Sequence, residues 1–353
     1  MPKPGQRFVK TAIDFILETD TLRISLIFLA TITLLSSCST TSNQTSDLPE
    51  LRFHGFLETL EIAPLLLAVD KHYPHEIDVK RGGIQNLYGV VSAVYGDPGV
   101  ADIATNAETQ LLRYSLDHPE LRMIMTISEG NYDLVARRSS GINSLKDFKG
   151  KRVGTLPNTS AAYFLEGMLA TAGLTLEDIT LVTDIDLPEF SDALIDGHID
   201  ALAMWAPEPE EAGVALGNDF VNFSGDGVYR EIFNLNTTAQ ALEDPVKREA
   251  IKQFMKSLIQ ANSALLSDPS PAQQLVVDRM AAYPPAYPLE LIAEAWPHHT
   301  YITGKVDDLL DVMVEEERWM ARNQGRQPRS RDTLASLIDY TLLDEILAES
   351  GNH

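Results

Sequence analysis

From residue 51 to residue 205, short apolar stretches of strand length alternate with stretches whose apolar residues recur at helical spacing. Strand-like pieces lie at 51–55, 77–80, 101–104, 123–127 and 134–137, with a helix at 63–69 that carries Pro64 in its first turn, where the missing N–H costs little. A turn at 144–147 leads into 151–154. Pro157-Asn158-Thr159-Ser160 then passes the chain into a helix striped by Phe164, Leu165, Met168, Leu169 and Ala172 and closed by Gly173. A strand at 179–182, a helix at 189–196 stopped by Gly197, and a buried strand at 199–204 ending at Trp205 complete the pattern. Strand alternating with helix over this length predicts an α/β protein with parallel sheets and helices on their faces. Beyond Pro245 the pattern is helical, at 248–266, 270–282, 289–295, 306–323 and 334–346. The simplest architecture is two α/β lobes, with the C-terminal helices packed back on one of them.

Charge excludes one class of partner. With 51 Asp+Glu against 28 Lys+Arg and a formal net charge of -23, the chain lacks the clustered cations that nucleic acid requires. The same excess gives no long-range attraction to small anions.

The lone cysteine, Cys38, excludes an intramolecular disulfide. It follows Arg23, an apolar run at 24–35 and the small residues Ser36-Ser37. That run is too short to cross ~30 Å of hydrocarbon as a helix but fits the core of an export signal. Leu35-Ser36-Ser37-Cys38 resembles the bacterial lipobox, which implies a signal peptide at 1–37 and a lipidated Cys38. An ordinary cleaved signal is the alternative. Asp14, Glu18 and Asp20 are unusual in a signal's basic start and point to a start downstream of Met1. Removing 1–37 makes the remaining chain one unit more negative. Residues 38–50, polar and without apolar periodicity, read as a flexible tether.

Familiar catalytic signatures are missing: there is no Gly-x-Ser-x-Gly elbow, P-loop or His-Glu-x-x-His. The eight histidines, including the pair His298-His299, read as surface. Asp97-Pro98-Gly99 reads as a turn, since the alternating oxygen ligands of a calcium loop are lacking. Arg318, Arg322, Arg326, Arg329 and Arg331 read as a solvated helix face and loop, with contact to a permease or lipid headgroups as the alternative. Neither a metal nor a cofactor is expected.

Ser144-Leu145-Lys146-Asp147-Phe148-Lys149-Gly150-Lys151-Arg152-Val153-Gly154 resembles the "sLkDLKGKrVgv" segment of type II solute-binding proteins. Asn158-Thr159-Ser160 resembles the ligand loop that follows it. Phe164-Leu165 and Ala172-Gly173-Leu174 match the helix and its end. Ala193-Leu194 with Gly197-His198-Ile199-Asp200-Ala201 is similar to the "aL..G.vDA" signature, and Trp205-Ala206-Pro207-Glu208 to its "WePy" continuation. In order and spacing these residues resemble the nitrate/sulfonate/taurine and thiamine-precursor group (SsuA/THI5-like) of ABC-transporter substrate-binding proteins. The resemblance extends more weakly over most of 51–345.

The resemblance implies a two-lobe type II periplasmic-binding-protein (Venus-flytrap) fold that closes on a ligand by hinge motion. Lobe 1 is expected at 51–134 plus 238–345, and lobe 2 at 135–237. The crossovers are expected at 132–135 and 234–237. It also implies a monomeric, non-enzymatic importer component outside the cytoplasm, lipid-anchored through Cys38 and serving an ABC permease and ATPase. Two alternatives share the fold. A receptor-coupled sensory binding protein is one. The other is a pyrimidine-synthesis enzyme, which the resemblance associates with a cysteine-rich motif and a cofactor-holding lysine.

Ligands of open α/β sheets bind where strand ends feed helices, and four loops qualify. They are 56–61, 105–108, 158–160 and 205–208, with Glu58, Thr59, Thr105, Asn106, Glu108, Asn158, Thr159, Ser160, Trp205 and Glu208 as candidate ligand contacts. Thr159 or Ser160 is equally explained as an N-cap, Trp205 as core, and each glutamate as solvated surface. None of the four loops holds Arg or Lys, whereas a nitrate or sulfonate site needs dense cationic or N–H donation. Carboxylates beside Trp205 suit a small polar ligand with a nitrogenous, even cationic, group.

Overall fold

The computed structural model describes residues 48–89, 96–282 and 286–350. The signal, the lipobox and Cys38 lie outside the described residues. In chain order the first strands are β1 (Leu51–Gly55), β2 (Ile77–Arg81), β3 (Ile103–Ala107) and β4 (Leu121–Asn131). Next come β5 (Asp133–Arg137), β6 (Arg152–Gly154), β7 (Thr180–Val182), β8 (Ala201–Met204) and β9 (Phe220–Ser224). Strands β10 (Arg230–Thr238) and β11 (His299–Gly304) follow. Helices α1 (Ala63–Leu67), α2 (Glu108–Tyr114), α3 (Ser160–Thr171), α4 (Phe190–Ile195) and α5 (Glu208–Leu216) are interleaved with the strands. The C-terminal part adds α6 (Ala239–Glu243), α7 (Pro245–Ser267), α8 (Ser270–Met280) and α9 (Leu289–Ala295). It ends with α10 (Leu309–Asn323), α11 (Arg331–Ala335) and α12 (Thr341–Ser350).

The strands form two sheets, β11-β4-β10-β3-β1-β2 and β7-β6-β8-β5-β9. Both are mixed, not parallel as expected. β1 runs parallel to β2 and β3, and β6 parallel to β7 and β8. β10, β4 and β11 pair antiparallel in the larger sheet, as β5 does with β8 and β9 in the smaller. The reason is connectivity. A strand–helix–strand unit returns its second strand parallel, whereas β4–β5 and β9–β10 are joined directly as the chain changes sheets.

The first crossover is Tyr132, between β4 and β5. The second is residues 225–229, not 234–237, because Asn234-Leu235-Asn236-Thr237 lies inside β10, paired with β3 and β4. Polar residues there mimic a loop, but each is buried with a partner. Thr126 Oγ1 donates to Asn234 Oδ1 (2.8 Å), Asn236 Nδ2 to the Asn234 carbonyl (3.0 Å), and Thr237 Oγ1 to the Asp102 carbonyl (2.7 Å). β11 likewise interrupts a region expected to be helical, and α11 and α12 divide the helix expected at 334–346.

Period-two alternation sends side chains of the larger sheet to two cores. Ile103, Ile124 and Phe233 meet α1, α7 and α8, while their neighbours Ala104, Met123 and Ile232 meet α2 and α10. The smaller sheet has its own core, with Val153 and Leu202 against Phe164 of α3 and Phe190 of α4. Long α7 begins where Asp244 Oδ1 accepts from Val246 N (2.9 Å) and Lys247 N (3.2 Å), with Pro245 in its first turn.

Two surface readings are corrected by burial. His54 and His299 are buried, the latter with Nδ1 3.3 Å from the Ala295 carbonyl. Arg326 and Arg329 close on the buried carboxylate of Glu317, at 2.5 and 2.8 Å, and Arg322 reaches Glu166 at 2.9 Å.

The two crossovers touch. Gly225 N donates to the Tyr132 carbonyl (2.9 Å), and a Cβ at Gly225 would lie 2.5 Å from that oxygen and 2.6 Å from Phe164 Cε2. Gly225→Ala is therefore expected to lower unfolding stability by about 1–3 kcal/mol, read by urea titration. A second tie is Asp102, which accepts from Arg52 Nη2 and Lys247 Nζ, both at 2.8 Å. Burial would raise its carboxyl, but these two cations hold it down at about 2. Since the folded value lies below the ordinary 3.8, the tie stabilises fully above about pH 4 and fades as pH falls toward 2. Asp102→Asn should be less stable at pH 7, with the difference from the native chain shrinking across that window in denaturant titrations.

Candidate functional site

A cavity of about 560 Å³ lies between the two sheets, within the ordinary range for small-molecule sites. It sits beyond the C-terminal ends of β1, β3, β6 and β8, whose loops carry Phe56 and Thr59, Asn106, Pro157 with Thr159 and Ser160, and Trp205. Tyr132 of the first crossover and Glu231 of β10 also line it.

The turn into α3 is a cap first. Asn158 takes the left-handed backbone (φ 60°), Thr159 is extended, and Thr159 Oγ1 accepts from Ala161 N (3.2 Å) while donating to the Leu156 carbonyl (2.7 Å). That hydroxyl is committed to its own helix. Ser160 Oγ pairs with Tyr132 OH at 2.8 Å. Gln110 Nε2 of α2 donates to the Asn158 carbonyl (3.2 Å), so the walls touch across the mouth.

Trp205 makes the aromatic wall, edge-on to Phe56 (centroids 5.9 Å) and tilted against Tyr132 (5.8 Å). Its indole Nε1 is buried without a hydrogen-bond partner, a donor whose desolvation nothing in the fold offsets.

Behind Tyr132 lies a chain of buried acids. Burial, then repulsion from Glu61 and Glu108, pushes the Glu231 carboxyl well above the usual carboxylate range. For Glu61, burial acts the same way but is outweighed by the His299 imidazole, Nε2 to Oε1 3.2 Å, which holds it below that range. The two carboxyls are thus shifted in opposite directions, Glu61 down and Glu231 up, and Thr59 Oγ1 also donates to Glu61. A second pair lies nearby. Glu108 accepts from Tyr229 OH and Ile232 N, both at 2.8 Å, and faces Glu316, whose carboxyl is raised by burial and by Glu108.

Of the residues expected at the site, Thr59, Asn106, Thr159, Ser160 and Trp205 line the cavity. Thr105 does not, since its Oγ1 accepts from Phe56 N (3.4 Å) and supports the loop from below. Asn158 contributes its carbonyl to the lobe contact with its side chain exposed. The three glutamates do not line the cavity. Glu58 is held by Arg81 at 2.6 Å, Glu108 is spent on Tyr229 and Ile232, and Glu208 is buried away from the cavity, its carboxyl driven well up by burial. Sequence reasoning missed Gln110, Arg113 and Tyr114, which share one face of α2 at spacings of three and four and were legible once that helix was assigned. It also missed Asp184, Asp186, Tyr132 and Glu231. Tyr132 was expected only as a crossover, and Glu231 gave no local signal, because the pairing of β10 with β4 alone brings it there. Arg113 supplies the cation lacking from the four loops.

A family model described as NMT1/THI5 like matches residues 61–272. No curated protein matches the chain by sequence. Among solved structures, the chain is similar to the alkanesulfonate-binding protein SsuA from Xanthomonas axonopodis pv. citri bound to MOPS. The TM-score is 0.63 at 17% identity, covering 82% of this chain and 98% of that one. The periplasmic aliphatic sulphonate binding protein SsuA from Escherichia coli gives 0.64 at 18% identity, covering 80% and 96%. The desulfurization enzyme DSZB gives 0.59 at 14% identity, covering 86% and 100%. The fold is that of the periplasmic binding proteins.

Proposed function

The chain belongs to the NMT1/THI5-like family, and from that premise we propose that it is the extracytoplasmic solute-binding component of an ABC importer. It captures a small dipolar ligand with a nitrogenous group between two hinged lobes and presents it to a permease. In this reading Cys38, outside the described residues, carries the lipid anchor. The lobes expected at 51–134 with 238–345 and at 135–237 become, in this proposal, 51–134 with 230–345 and 135–224, the second boundary being drawn back to the crossover at 225–229.

The observation that carries the ligand class is the presence of both donors and acceptors on the cavity wall, the Trp205 indole among them unpartnered. The Trp205 N–H lacks an acceptor, and Arg113 adds positive charge for an electron-rich or anionic end. Glu231, Asp184 and Asp186 provide acceptors for an N–H or ammonium end. An amino-sulfonate or an aminated heteroaromatic ring has both ends, and a bare inorganic anion has one. Binding is favoured over catalysis because, among the described residues, the lining holds no thiol, imidazole or lysine amine. Among the described residues no helix is long and apolar enough to cross a membrane.

Calorimetry and thermal shift with taurine, aminopyrimidines, amines, alkanesulfonates and nitrate test the reading, since a ligand of the folded form raises the midpoint. A nitrogen-bearing ligand should bind, whereas tight binding of nitrate or an amine-free alkanesulfonate refutes the nitrogenous assignment. Trp205→Ala should weaken that ligand at least about tenfold, losing both stacking and the indole donor. A cationic end requires Glu231 to ionise. Its raised carboxyl then predicts proton release on binding and affinity that falls as pH is lowered. Glu231→Gln should weaken binding and flatten that pH dependence in calorimetry across buffers of different ionisation enthalpy.

A further inference from the structure

On the flank of the first crossover three potential metal ligands converge from separate parts of the chain. Asp133 opens β5 and Glu210 stands on α5, both on the smaller-sheet side. His298 arrives from the segment that joins α9 to β11 of the larger sheet. His298 Nδ1 lies 3.1 Å from Glu210 Oε1 and 3.7 Å from Asp133 Oδ2, and one ligand atom from each residue falls within 4.8 Å of the others.

Both carboxylates are withdrawn from water, each with a side chain only 8% exposed. Neither oxygen of Glu210 has a hydrogen-bond partner, although the His298 ring is close. Two buried acids around one half-exposed imidazole leave uncompensated negative charge. A buried charge of that kind is costly unless it is paired or holds a metal. Donor bonds of about 2.0–2.2 Å to one ion set adjacent ligand atoms roughly 3–3.5 Å apart. The His298–Glu210 distance of 3.1 Å matches that spacing, the His298–Asp133 distance of 3.7 Å is slightly long, and small rotations of the two carboxylates close the remaining edges.

We propose that Asp133, Glu210 and His298 form a binding site for a divalent transition ion of the zinc type. One imidazole nitrogen with two carboxylates suits such a borderline ion, whereas calcium and magnesium favour all-oxygen shells. Water completes the shell on the exposed side of His298. Because the histidine and the two acids come from opposite sides of the hinge, the ion ties the larger lobe to the smaller beside the crossover. The site is separate from the cavity, whose lining includes none of the three.

The test uses the full chain, stripped with a chelator and titrated with Zn²⁺ alone by calorimetry, and with Co²⁺ alone by visible absorption. One Zn²⁺ per chain is expected, with ligand-field bands for Co²⁺ that Zn²⁺ displaces. His298→Ala and Glu210→Gln should each weaken Zn²⁺ at least roughly tenfold while keeping the native far-UV dichroism. If Glu210→Gln fails to fold, His298→Gln and the native Co²⁺ spectrum decide. Failure to take up Zn²⁺ leaves a plain ion pair at the hinge and overturns the proposal. So does uptake unchanged in the His298 variants, or Ca²⁺ displacing Zn²⁺ at equal concentration.

Discussion

The rest of this structure depends on the contact between its two crossovers. One hydrogen bond, from Gly225 N to the Tyr132 carbonyl, joins the only places where the described chain changes sheets. The approach is so close that no side chain larger than hydrogen fits between the Tyr132 backbone and the Phe164 ring. Two loops anchored there set the relation of the sheets, and therefore which strand ends face each other. Tyr132 serves both purposes, since its backbone closes the crossing while its ring and hydroxyl reach Trp205 and Ser160 in the cavity.

Acid is handled in a consistent way around that crossing. A chain with formal net charge -23 nevertheless buries Glu61, Glu108, Glu231 and Glu316 close together. Isolated carboxylates at such depth would be ruinous, so they are arranged in facing pairs, Glu61 with Glu231 and Glu108 with Glu316. Glu61 has the buried His299 as counter-group, and Glu108 has Tyr229 OH and the Ile232 N–H. Glu231, whose carboxyl is raised first by burial and then by Glu61 and Glu108, lies on the cavity wall.

Much of the architecture was legible in local pattern. β1, β2, α1, α3 and α9 fall where apolar period, Thr159 as a cap and Pro64 as a first-turn residue put them, while α7 starts at Pro245, ahead of the expected 248, because Asp244 caps it. Tertiary pairing overrode the pattern in β10. Its buried asparagines read as loop because a sequence does not show that Thr126 and the backbone of β10 itself will satisfy them. The cavity divided along the same line. Trp205 and Ser160 follow a strand or start a helix, so their position was readable, whereas Glu231 enters the site only through the register of β10.

The sequence by itself determined most element types outside β10 and β11, the α/β class and the turn that opens α3, because these rest on periodicity and capping within a few residues. Only the tertiary structure decided which acids line the cavity and which are spent inside the fold. Glu58, Glu108 and Glu208 have the same side chain as Glu231. What separates them is Arg81 for Glu58, Tyr229 for Glu108 and, for Glu208 at the start of α5, burial where that helix packs against α4 and α9, all set by residues distant in the chain. Charge is a property of the residue, but its availability belongs to the packing around it.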